Sequence, residues 1–454
     1  MNQRRDFLKK SAALAAGSIL MPTIAPASVL SNISMPSVFT ADNQPGKKIV
    51  VAIAGVNSRG NRLAKLFASL PDSEIGYICD PDERAMAKTI DEVAKIQTVK
   101  PKAEKDFRKA LEDKGVDALV IAMPDHWHAP ATIIACSMGK HVYVEKPISH
   151  NPAEGELLVR AARKYNRIVQ MGNQRRSGTG IIQMIDDIRS GIIGNVYMAK
   201  TWYSNGRGPS SYKEGPVPAW LDYELWQGPA PRRPYREGVV HYDWHWLWHW
   251  GTGEALNNGT HEVDVARWGL GVEFPDRVSS LGGRYALKDD WETPDTQTIM
   301  MEFPENKMIV WENRSRNKLP IHGDARGVVF YGENGSIVCP WGNSYTVYDN
   351  SGKNVIKEFK DDTSTVADST NPVSTGANLE TWHVADFLDC IRTGKTPNSD
   401  CETGRRSTLL VQLGNISWRM KQTLEIDSTN GHILTPGAEQ YWSREYEKGW
   451  EPKI

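Results

Sequence analysis

Residues 55–60, with the sequence GVNSRG, could bind the phosphates of a nucleotide. They follow a continuous apolar run at 49–54 and precede a segment, 61–70, whose large apolar residues repeat with helical spacing. Strand, glycine turn and helix form the context of a dinucleotide-binding fingerprint, in which backbone N–H groups at the helix start hold the pyrophosphate. Gly55 permits the tight turn and Gly60 permits close helix–strand packing, while Asn57, at the second fingerprint glycine, tolerates a positive φ. Ordinary tight turns also carry such degenerate motifs, so the interpretation needs support from elsewhere.

Asp80 supplies that support, because it follows the next apolar run, 75–79, and lies 25 residues after Gly55. A carboxylate at this strand end accepts hydrogen bonds from the ribose hydroxyls of adenosine and repels a 2′-phosphate. The position therefore favours NAD over NADP, although Arg59 or Arg84 would weaken the preference. Asp80 is also compatible with a helix N-cap in front of Pro81.

Apolar runs of strand length alternate with helical segments as far as residue 171. We predict strands at 118–122, 141–144 and 168–171, and helices at 107–114, 129–139 and 153–165. Repeated β-α pairs with fully apolar strands predict a parallel sheet covered on both faces. Ligand-binding residues are expected at the carboxyl ends of such strands. Three polar clusters fall there, at 124–128, 145–146 and 173–176.

Two aromatic segments, 216–235 and 241–253, contain six of the 16 tryptophans. Tryptophan rings stack on the apolar faces of sugars, and His, Asp and Arg side chains bind sugar hydroxyls. His241, His245 and His249 are spaced by four, as metal ligands on a helix are, but tryptophans alternate at 244–250 and do not favour a helix. We therefore assign these histidines to hydroxyl recognition or packing and predict no metal. A core of the domain or of an oligomer would also explain the tryptophans.

The composition excludes several classes of protein. The 454 residues include 54 basic and 55 acidic side chains, a net charge of −1, and thus lack the basic surplus of a nucleic-acid-binding protein. The five cysteines form no CxxC pair, which argues against a zinc site or a disulfide framework.

Short runs at 296–303, 307–313, 327–331, 336–339 and 344–348 predict strands of an antiparallel sheet. Helices are predicted at 379–392 and 405–424.

The N-terminal residues 1–27 resemble a twin-arginine export signal, which predicts a periplasmic protein. Arg4 and Arg5 precede a weakly apolar run, 12–19, and small residues at 25–27 suit a signal peptidase. The run is too short to span a membrane, so we predict no integral span. A soluble N-terminal helix is the alternative. A nucleotide-dependent enzyme exported in this way would have to retain and regenerate its cofactor. Residues 28–46, which follow the signal, are predicted to be a linker.

Several ordered blocks resemble the glucose–fructose oxidoreductase / inositol dehydrogenase / MocA family over residues 48–425. They are MPDHWHAPATIIACSMGKH followed by VYVEKP, SGIIGNVYMAKTW at 190–202, and HVADFLDCIRTGKTPNSD at 383–400. The resemblance implies an α/β fold: a Rossmann NAD-binding domain at 48–172 and an α+β domain with an open, mainly antiparallel sheet at 173–425. A C-terminal tail, 426–454, would follow. The family resemblance also implies a homodimer or homotetramer.

The resemblance further implies the catalytic residues. Lys146 matches the lysine of the family's Glu-Lys-Pro motif, whose bond to proline is commonly cis, and His261 matches a histidine one helical turn after an acidic residue. That acidic position holds Asn257 here, and an amide cannot act as a base, so we assign Asn257 to orientation only. Asp264, one turn further on, is expected to hold the imidazole of His261.

The remaining assignments complete the predicted site. The cofactor-binding residues are Gly55, Asn57, Ser58, Arg59, Gly60, Asp80, Pro124, Asp125, His128, Glu145, Lys146 and Gln174. The substrate-binding residues are Arg175, Trp226, Tyr235, His241, Trp244, His245 and Trp246. The predicted function is hydride transfer between a secondary alcohol of a sugar or glycoside and a tightly bound NAD(H), with Lys146 and His261 as the acid–base pair. Two alternatives stay open: an NAD-dependent, redox-neutral glycosidase, and a non-catalytic sensor of sugars or nucleotides.

Overall fold

The computed structural model of the protein describes residues 47–361 and 377–454. The predicted export signal and linker, 1–46, lie outside the described residues. None of the described helices is both long and apolar enough to cross a bilayer.

The N-terminal part of the described chain is a six-stranded parallel sheet flanked by helices. Its strands are β1 (Ile49–Ala54), β2 (Ser73–Cys79), β3 (Lys102–Glu104), β4 (Ala118–Ile121), β5 (His141–Val144) and β6 (Val169–Met171). The helices between them are α1 (Arg59–Ser69), α2 (Glu83–Val93), α3 (Phe107–Glu112), α4 (Asp125–Ser137) and α5 (Pro152–Lys164). The strand order is β3-β2-β1-β4-β5-β6. This Rossmann arrangement confirms the predicted fold of the first domain and places the ends of β1, β4 and β5 side by side.

The second domain is built on a nine-stranded sheet. Its elements begin with α6 (Thr179–Arg189), β7 (Val196–Ser204), β8 (Lys213–Glu214), α7 (Tyr223–Gln227), β9 (Arg236–Glu237), α8 (Thr260–Leu270), β10 (Arg277–Gly283) and β11 (Thr296–Phe303). They continue with β12 (Lys307–Arg314), β13 (Arg326–Gly332), β14 (Gly335–Pro340), β15 (Tyr345–Asp349), β16 (Val355–Phe359), α9 (Ala377–Thr393), α10 (Cys401–Met420) and β17 (Leu424–Glu425). The order is β16-β15-β14-β13-β7-β12-β11-β10-β17. All pairs except the parallel pair β7–β12 are antiparallel, as predicted.

Helices α8 and α10 cover one face of this sheet, and their apolar residues form its core with the inward-facing side chains of the strands. The aromatic segments fold outside the sheet as a separate cluster around Trp226, Trp244 and Trp250. The small ladder β8–β9 lies in the same segment, 212–250. This cluster thus forms a wall beside the first domain rather than a layer of the sheet.

Two late segments of the chain return to the first domain. Val384, Phe387 and Leu388 of α9 belong to a core cluster formed mainly by β1, β2, β4, β5, α1 and α2. Trp450, in the C-terminal tail, packs edge-on against Trp127 of α4 with ring centroids 5.2 Å apart. The first domain is therefore completed by residues that follow the second domain in sequence.

Candidate active site

A single cleft runs along the carboxyl ends of the parallel strands and is closed by the second domain. It contains about 1480 Å³ of space, part of which is open to solvent. Its wall contains 17 of the predicted site residues: Gly55, Asn57, Ser58, Arg59, Asp80, Pro124, Asp125, His128, Glu145, Lys146, Gln174, Trp226, His241, Trp244, His245, Asn257 and His261. The structure thus brings together predicted residues that are as far apart in sequence as Gly55 and His261.

The glycine turn has the close packing expected of a phosphate-binding loop. Gly55 has a φ of +82°, and a Cβ atom there would lie 2.7 Å from the backbone of Ala122. A Cβ atom on Gly60 would lie 1.9 Å from the carbonyl oxygen of Gly55. Ser58, at the N-cap of α1, makes no side-chain capping bond. The first N–H groups of α1 are therefore free of a side-chain cap and suit an anion.

Asp80 follows β2 and lies at the bottom of the cleft. One carboxylate oxygen accepts from Val56 N at 2.6 Å and the other from Asp82 N at 2.8 Å. Burial raises the pKa of Asp80 to about 6, against the opposing effect of these two hydrogen bonds. Asp82, not Asp80, caps α2, since its side chain accepts from Arg84 N. The alternative role of Asp80 as N-cap is therefore wrong.

Lys146 joins the two domains at the centre of the cleft. Its Nζ donates to the backbone oxygen of Asn257 at 2.6 Å and to the side-chain Oδ1 at 2.9 Å. Desolvation lowers the pKa of Lys146, while the nearby charges of Glu145 and Asp125 raise it. The Lys146–Pro147 peptide is cis, as the resemblance implied. Lys146 thus has a lowered pKa and lines the cleft.

His261 lies at the start of α8, directly after a π-helical turn, Ala255–Gly259, that carries Asn257. Burial lowers its pKa well below the usual value, and the charges of Arg326 and Lys146 lower it further. Its Nδ1 has no hydrogen-bond partner within the described residues. A neutral imidazole with a free ring nitrogen can bind a hydroxyl group. π-turns of this kind are frequent at functional sites.

Asp264 does not hold the imidazole of His261, so that expectation is wrong. Its carboxylate accepts from Arg176 Nε at 2.8 Å and from the hydroxyl of Ser407. Helical periodicity places Asp264 near His261, but the side chain points toward the helices rather than the cleft.

Arg59 links the glycine turn to both domains. Its Nε donates to Glu145 at 2.8 Å and its Nη1 to Glu380 of α9 at 2.6 Å. Its Nη2 has no partner within the described residues. Gln174 lies 3.5 Å from the same Glu145 oxygen. This arrangement fixes the guanidinium and leaves one of its nitrogens for a ligand.

The predicted polar cluster at 124–128 is the first turn of α4, which begins at Asp125 rather than at 129. The ring nitrogens of His128 lie 2.6 Å from Pro147 O and 2.7 Å from Met123 O. Burial raises the pKa of Asp125, whose carboxylate accepts from Thr252. His128 and Asp125 therefore line the cleft, and because their polar atoms bond to other protein groups, their positions define its shape.

The aromatic wall contains four of the predicted substrate residues. His245 stacks on Trp244 with ring centroids 3.6 Å apart, and its Nδ1 lies 2.6 Å from Tyr242 O. Burial lowers the pKa of His245 well below its usual value. His241 Nε2 lies 2.8 Å from Asp82 and His249 Nε2 lies 2.7 Å from Pro231 O. The three histidines thus have separate partners, and no cluster of metal-binding side chains occurs among the described residues.

Three predicted substrate residues lie away from the cleft. Arg175 is buried and donates to Cys339 Sγ and Pro340 O. Tyr235 packs edge-on against Tyr223, and Trp246 stacks on Trp291 at 4.1 Å. Their side-chain directions in irregular segments do not follow from sequence spacing. All three were predicted to bind substrate, and the structure does not bring them to the lining of the cleft.

Several residues of the cleft were not predicted from the sequence. They are Lys105, Phe107, Trp127, Leu225, Tyr242, Asn258, Trp341 and Glu380, with Ala54, Cys79, Pro81, Ala122 and Met123 at the strand ends. Trp127 and Tyr242 adjoin predicted residues and could have been found from that position. Trp341, whose ring lies 5.3 Å from that of His261, follows β14 and carries no sequence signal for this role.

The relatives of this chain include glycoside-active enzymes and sugar oxidoreductases. A glycosyl hydrolase family 109 protein of Shewanella baltica is 26% identical over 215 residues, covering 44% of this chain and 45% of the relative. An alpha-N-acetylgalactosaminidase of Shewanella oneidensis is 25% identical with the same coverage. The chain thus spans about half the length of these relatives.

Solved structures match the fold over most of the chain. An aldose-aldose oxidoreductase from Caulobacter crescentus, complexed with glycerol, is 18% identical, with a TM-score of 0.63, covering 84% of this chain and 100% of that one. A levoglucosan dehydrogenase in complex with NADH and levoglucosan is 17% identical, with the same TM-score, covering 84% and 99%. An oxidoreductase family model with an NAD-binding Rossmann fold matches residues 49–173, and its C-terminal alpha/beta domain matches 185–426. On these matches, the chain belongs to the Gfo/Idh/MocA family of oxidoreductases.

Proposed function

We propose that the protein is an NAD(H)-dependent oxidoreductase that acts on a secondary alcohol of a sugar or glycoside. The observation that carries this proposal is the contact of Lys146 with Asn257 inside the cleft that also contains Gly55 and Asp80. A proton-transfer group with a lowered pKa therefore lies in the same cleft as the groups that suit a dinucleotide.

The residues present fit NAD. The uncapped N-terminus of α1 and the turn at Gly55, where a Cβ would collide with backbone, suit a pyrophosphate. Asp80 keeps lone pairs for ribose hydroxyls beyond its two backbone hydrogen bonds. The partner-free Nη2 of Arg59 supplies a further donor. The carboxylate at position 80 favours NAD over NADP, because a 2′-phosphate would be repelled there.

Bound NAD supplies the acceptor or donor of a hydride. In the oxidative direction, the Lys146 amine takes the proton of the reacting hydroxyl, and in the reductive direction its ammonium returns it. His261, held neutral by burial, keeps one ring N–H, which donates a hydrogen bond to the oxygen of that hydroxyl and orients it. Trp226 and Trp244 offer ring surface to the apolar face of a sugar.

A panel of sugars and glycosides, incubated with the purified protein and NAD, tests the proposal by the appearance of NADH. Mass spectrometry of cofactor released from the purified protein identifies NAD or NADP and its occupancy. Turnover of at least one sugar with NAD supports the proposal. Absence of both cofactor binding and turnover contradicts it and favours a non-catalytic sensor.

A redox-neutral glycosidase is the second candidate, because relatives of this chain are named as glycosyl hydrolases and an alpha-N-acetylgalactosaminidase. In such a reaction NAD is reduced and reoxidised within one cycle. Nitrophenyl glycosides separate the two candidates: nitrophenol release with no net change in NADH supports the glycosidase.

The cellular setting is a further proposal. The twin-arginine motif at Arg4 and Arg5 supports export to the periplasm, where a tightly held cofactor would be needed. Fractionation of cells that carry the protein, with Arg4 and Arg5 replaced by lysine as the control, tests the route. A dimer or tetramer is expected from the family and is tested by light scattering.

A further inference from the structure

A buried carboxylate, that of Glu254, lies behind the Asn257 amide, one helical turn earlier in the chain. Only 1% of Glu254 is exposed, and the cleft wall formed by the described residues does not contain it. Its Oε1 accepts from Asn257 Nδ2 at 3.4 Å and also from Asn258 Nδ2. Glu254 is thus in contact with a cleft residue without reaching a ligand itself.

Arg207 neutralises this carboxylate. Its Nε donates to Glu254 Oε2 at 2.5 Å and its Nη2 to Oε1 at 3.1 Å. The Ser315 hydroxyl is 3.4 Å from Oε2. The Nη1 of Arg207 donates to the hydroxyl of Tyr242, which lines the opposite wall of the cleft. The ion pair between Arg207 and Glu254 therefore links two residues of the cleft wall, Tyr242 and Asn257, without itself lining the cleft.

The chemistry of the groups fixes the orientation of the Asn257 amide. An ionised carboxylate only accepts hydrogen bonds and an ammonium only donates them, whereas an amide does both. Because Glu254 faces one end of the amide, Asn257 turns its NH₂ group toward Glu254. Its oxygen is then left to face Lys146 Nζ, at 2.9 Å.

We propose that Glu254 is a positioning residue, which holds the Asn257 amide so that its oxygen faces the Lys146 amine. A carboxylate thereby still controls this position, although Asn257 stands where inositol dehydrogenase-like members carry an aspartate. The catalytic consequence rests on the proposed function, but the hydrogen-bond chain from Arg207 to Lys146 does not.

Orientation of this amide changes the proton affinity of Lys146. The Asn257 oxygen accepts from the ammonium form and stabilises it, whereas an NH₂ group in its place would disfavour that form. The other ionisable groups that act on Lys146 or face it are Glu145, Asp125, Arg59, Arg326, His245 and His261. None of these groups is replaced in a Glu254 variant, so a change in the pKa of Lys146 reports the reversed amide together with the lost charge of Glu254.

Glu254→Gln is the direct test. The new side chain has a single acceptor oxygen, which Arg207 engages, so its NH₂ group faces Asn257 and reverses that amide. We expect the pKa of Lys146 to fall by about one unit, since an acceptor and a negative charge are both lost. The ionisation midpoint of Lys146 is measured from the pH dependence of its acetylation by acetic anhydride, which peptide mass spectrometry follows. We call this value the acetylation midpoint. On a sugar that turns over, kcat falls about tenfold or more and the pH profile shifts in the same direction.

The exchanged pair, Glu254→Gln with Asn257→Asp, conserves charge and tests the proposal even where the single variant fails to fold. Its new carboxylate can accept from both the glutamine and Lys146, so the acetylation midpoint returns to the wild-type value or above it. Glu312→Gln is the matched control, because Glu312 pairs with Lys200 on the sheet, away from the cleft. This control leaves the midpoint unchanged.

An unchanged midpoint in folded Glu254→Gln overturns the proposal, and so does a lowered midpoint in the exchanged pair. Acetylation needs no sugar substrate, so the two hypotheses fail separately. A shifted midpoint without turnover on any sugar leaves Glu254 as a positioning residue and contradicts the oxidoreductase proposal alone.

Discussion

The Nζ of Lys146 donates to the side-chain oxygen of Asn257 over 2.9 Å, although 111 positions separate the two residues in sequence. Lys146 follows β5 of the parallel sheet, and Asn257 lies in the π-turn in front of α8. The contact therefore joins the two domains at the point where the strand ends meet the second sheet.

Replacement of Lys146 tests the proton-transfer role. Lys146→Ala removes the amine, and we expect kcat on the best sugar to fall about 100-fold or more. Lys146→Arg keeps the positive charge but stays protonated, so it should lose activity to a similar extent. Steady-state kinetics and the thermal midpoint are measured together. Near-normal turnover by either variant would contradict the role.

Cofactor affinity should depend on the ionisation of Asp80, whose pKa burial raises to about 6. The ionised carboxylate accepts from ribose hydroxyls, so we expect NADH to bind more weakly as the pH falls through about 6. Asp80→Asn should weaken NADH binding about tenfold or more and remove this pH dependence. Fluorescence titration of NADH measures both effects, and a persistent pH dependence in the variant would exclude Asp80 as its source.

The raised pKa of Asp80 affects folding in the opposite direction to binding: a fall in pH weakens NADH binding but stabilises the fold. A carboxyl group whose pKa is raised in the native state binds more protons folded than unfolded. Its contribution to the free energy of unfolding therefore grows as the pH falls toward its unfolded pKa. Denaturant titrations of wild type and Asp80→Asn measure this contribution at each pH. We expect Asp80 not to destabilise the fold at low pH, so weaker NADH binding there would not be a result of unfolding.

A methyl group at Gly55 should displace the glycine turn and thereby abolish dinucleotide binding. Gly55 has a φ of +82°, and a Cβ would lie 2.7 Å from the Ala122 backbone. Gly139→Ala is the matched control, since Gly139 has a φ of +79° but nothing within 4 Å of a Cβ. Both variants carry backbone strain of about 1 kcal/mol. Calorimetry should find NAD binding lost only in Gly55→Ala, and equal binding by both variants would contradict the proposed phosphate site.

Two tryptophans of one segment should behave differently. Trp244 lines the cleft, whereas Trp246 is 1% exposed and stacks on Trp291. Trp244→Phe should raise KM for the sugar about two- to tenfold with little change in Tm, because part of the stacking surface is lost. Trp246→Ala should instead cost about 3–5 kcal/mol of stability through the cavity that it leaves. A raised KM in a stable Trp246→Ala would reverse this assignment.

The alternation of apolar runs and glycine turns was sufficient to predict the parallel sheet and the order of its binding loops. β11 was predicted with the bounds that the structure has, 296–303, because alternation and flanking turns define it. Helix α10 begins at 401 rather than 405, since Asp400 caps it by accepting from the N–H groups of residues 402 and 403. The cofactor side of the cleft was predictable because it follows the ends of regular strands, whereas Lys146, Asn257 and His261 were assigned from the family resemblance.

Side chains in irregular segments were not predictable in the same way. The Trp244–Trp246 stretch is a short 3₁₀ turn, in which spacing alone does not tell which ring faces the cleft. Arg175, also in a 3₁₀ turn, points to Cys339 on the second sheet. Glu254 was missed because its effect passes through Asn257, and no local pattern encodes a hydrogen bond made behind the site.

The packing of Trp450 on Trp127 has a consequence for biosynthesis. Trp127 lines the cleft, and Trp450 of the C-terminal tail packs edge-on against its ring. During translation the first domain therefore emerges from the ribosome long before this contact can form. Loading of the nucleotide should accordingly be late, after the nascent chain has been extended through Trp450.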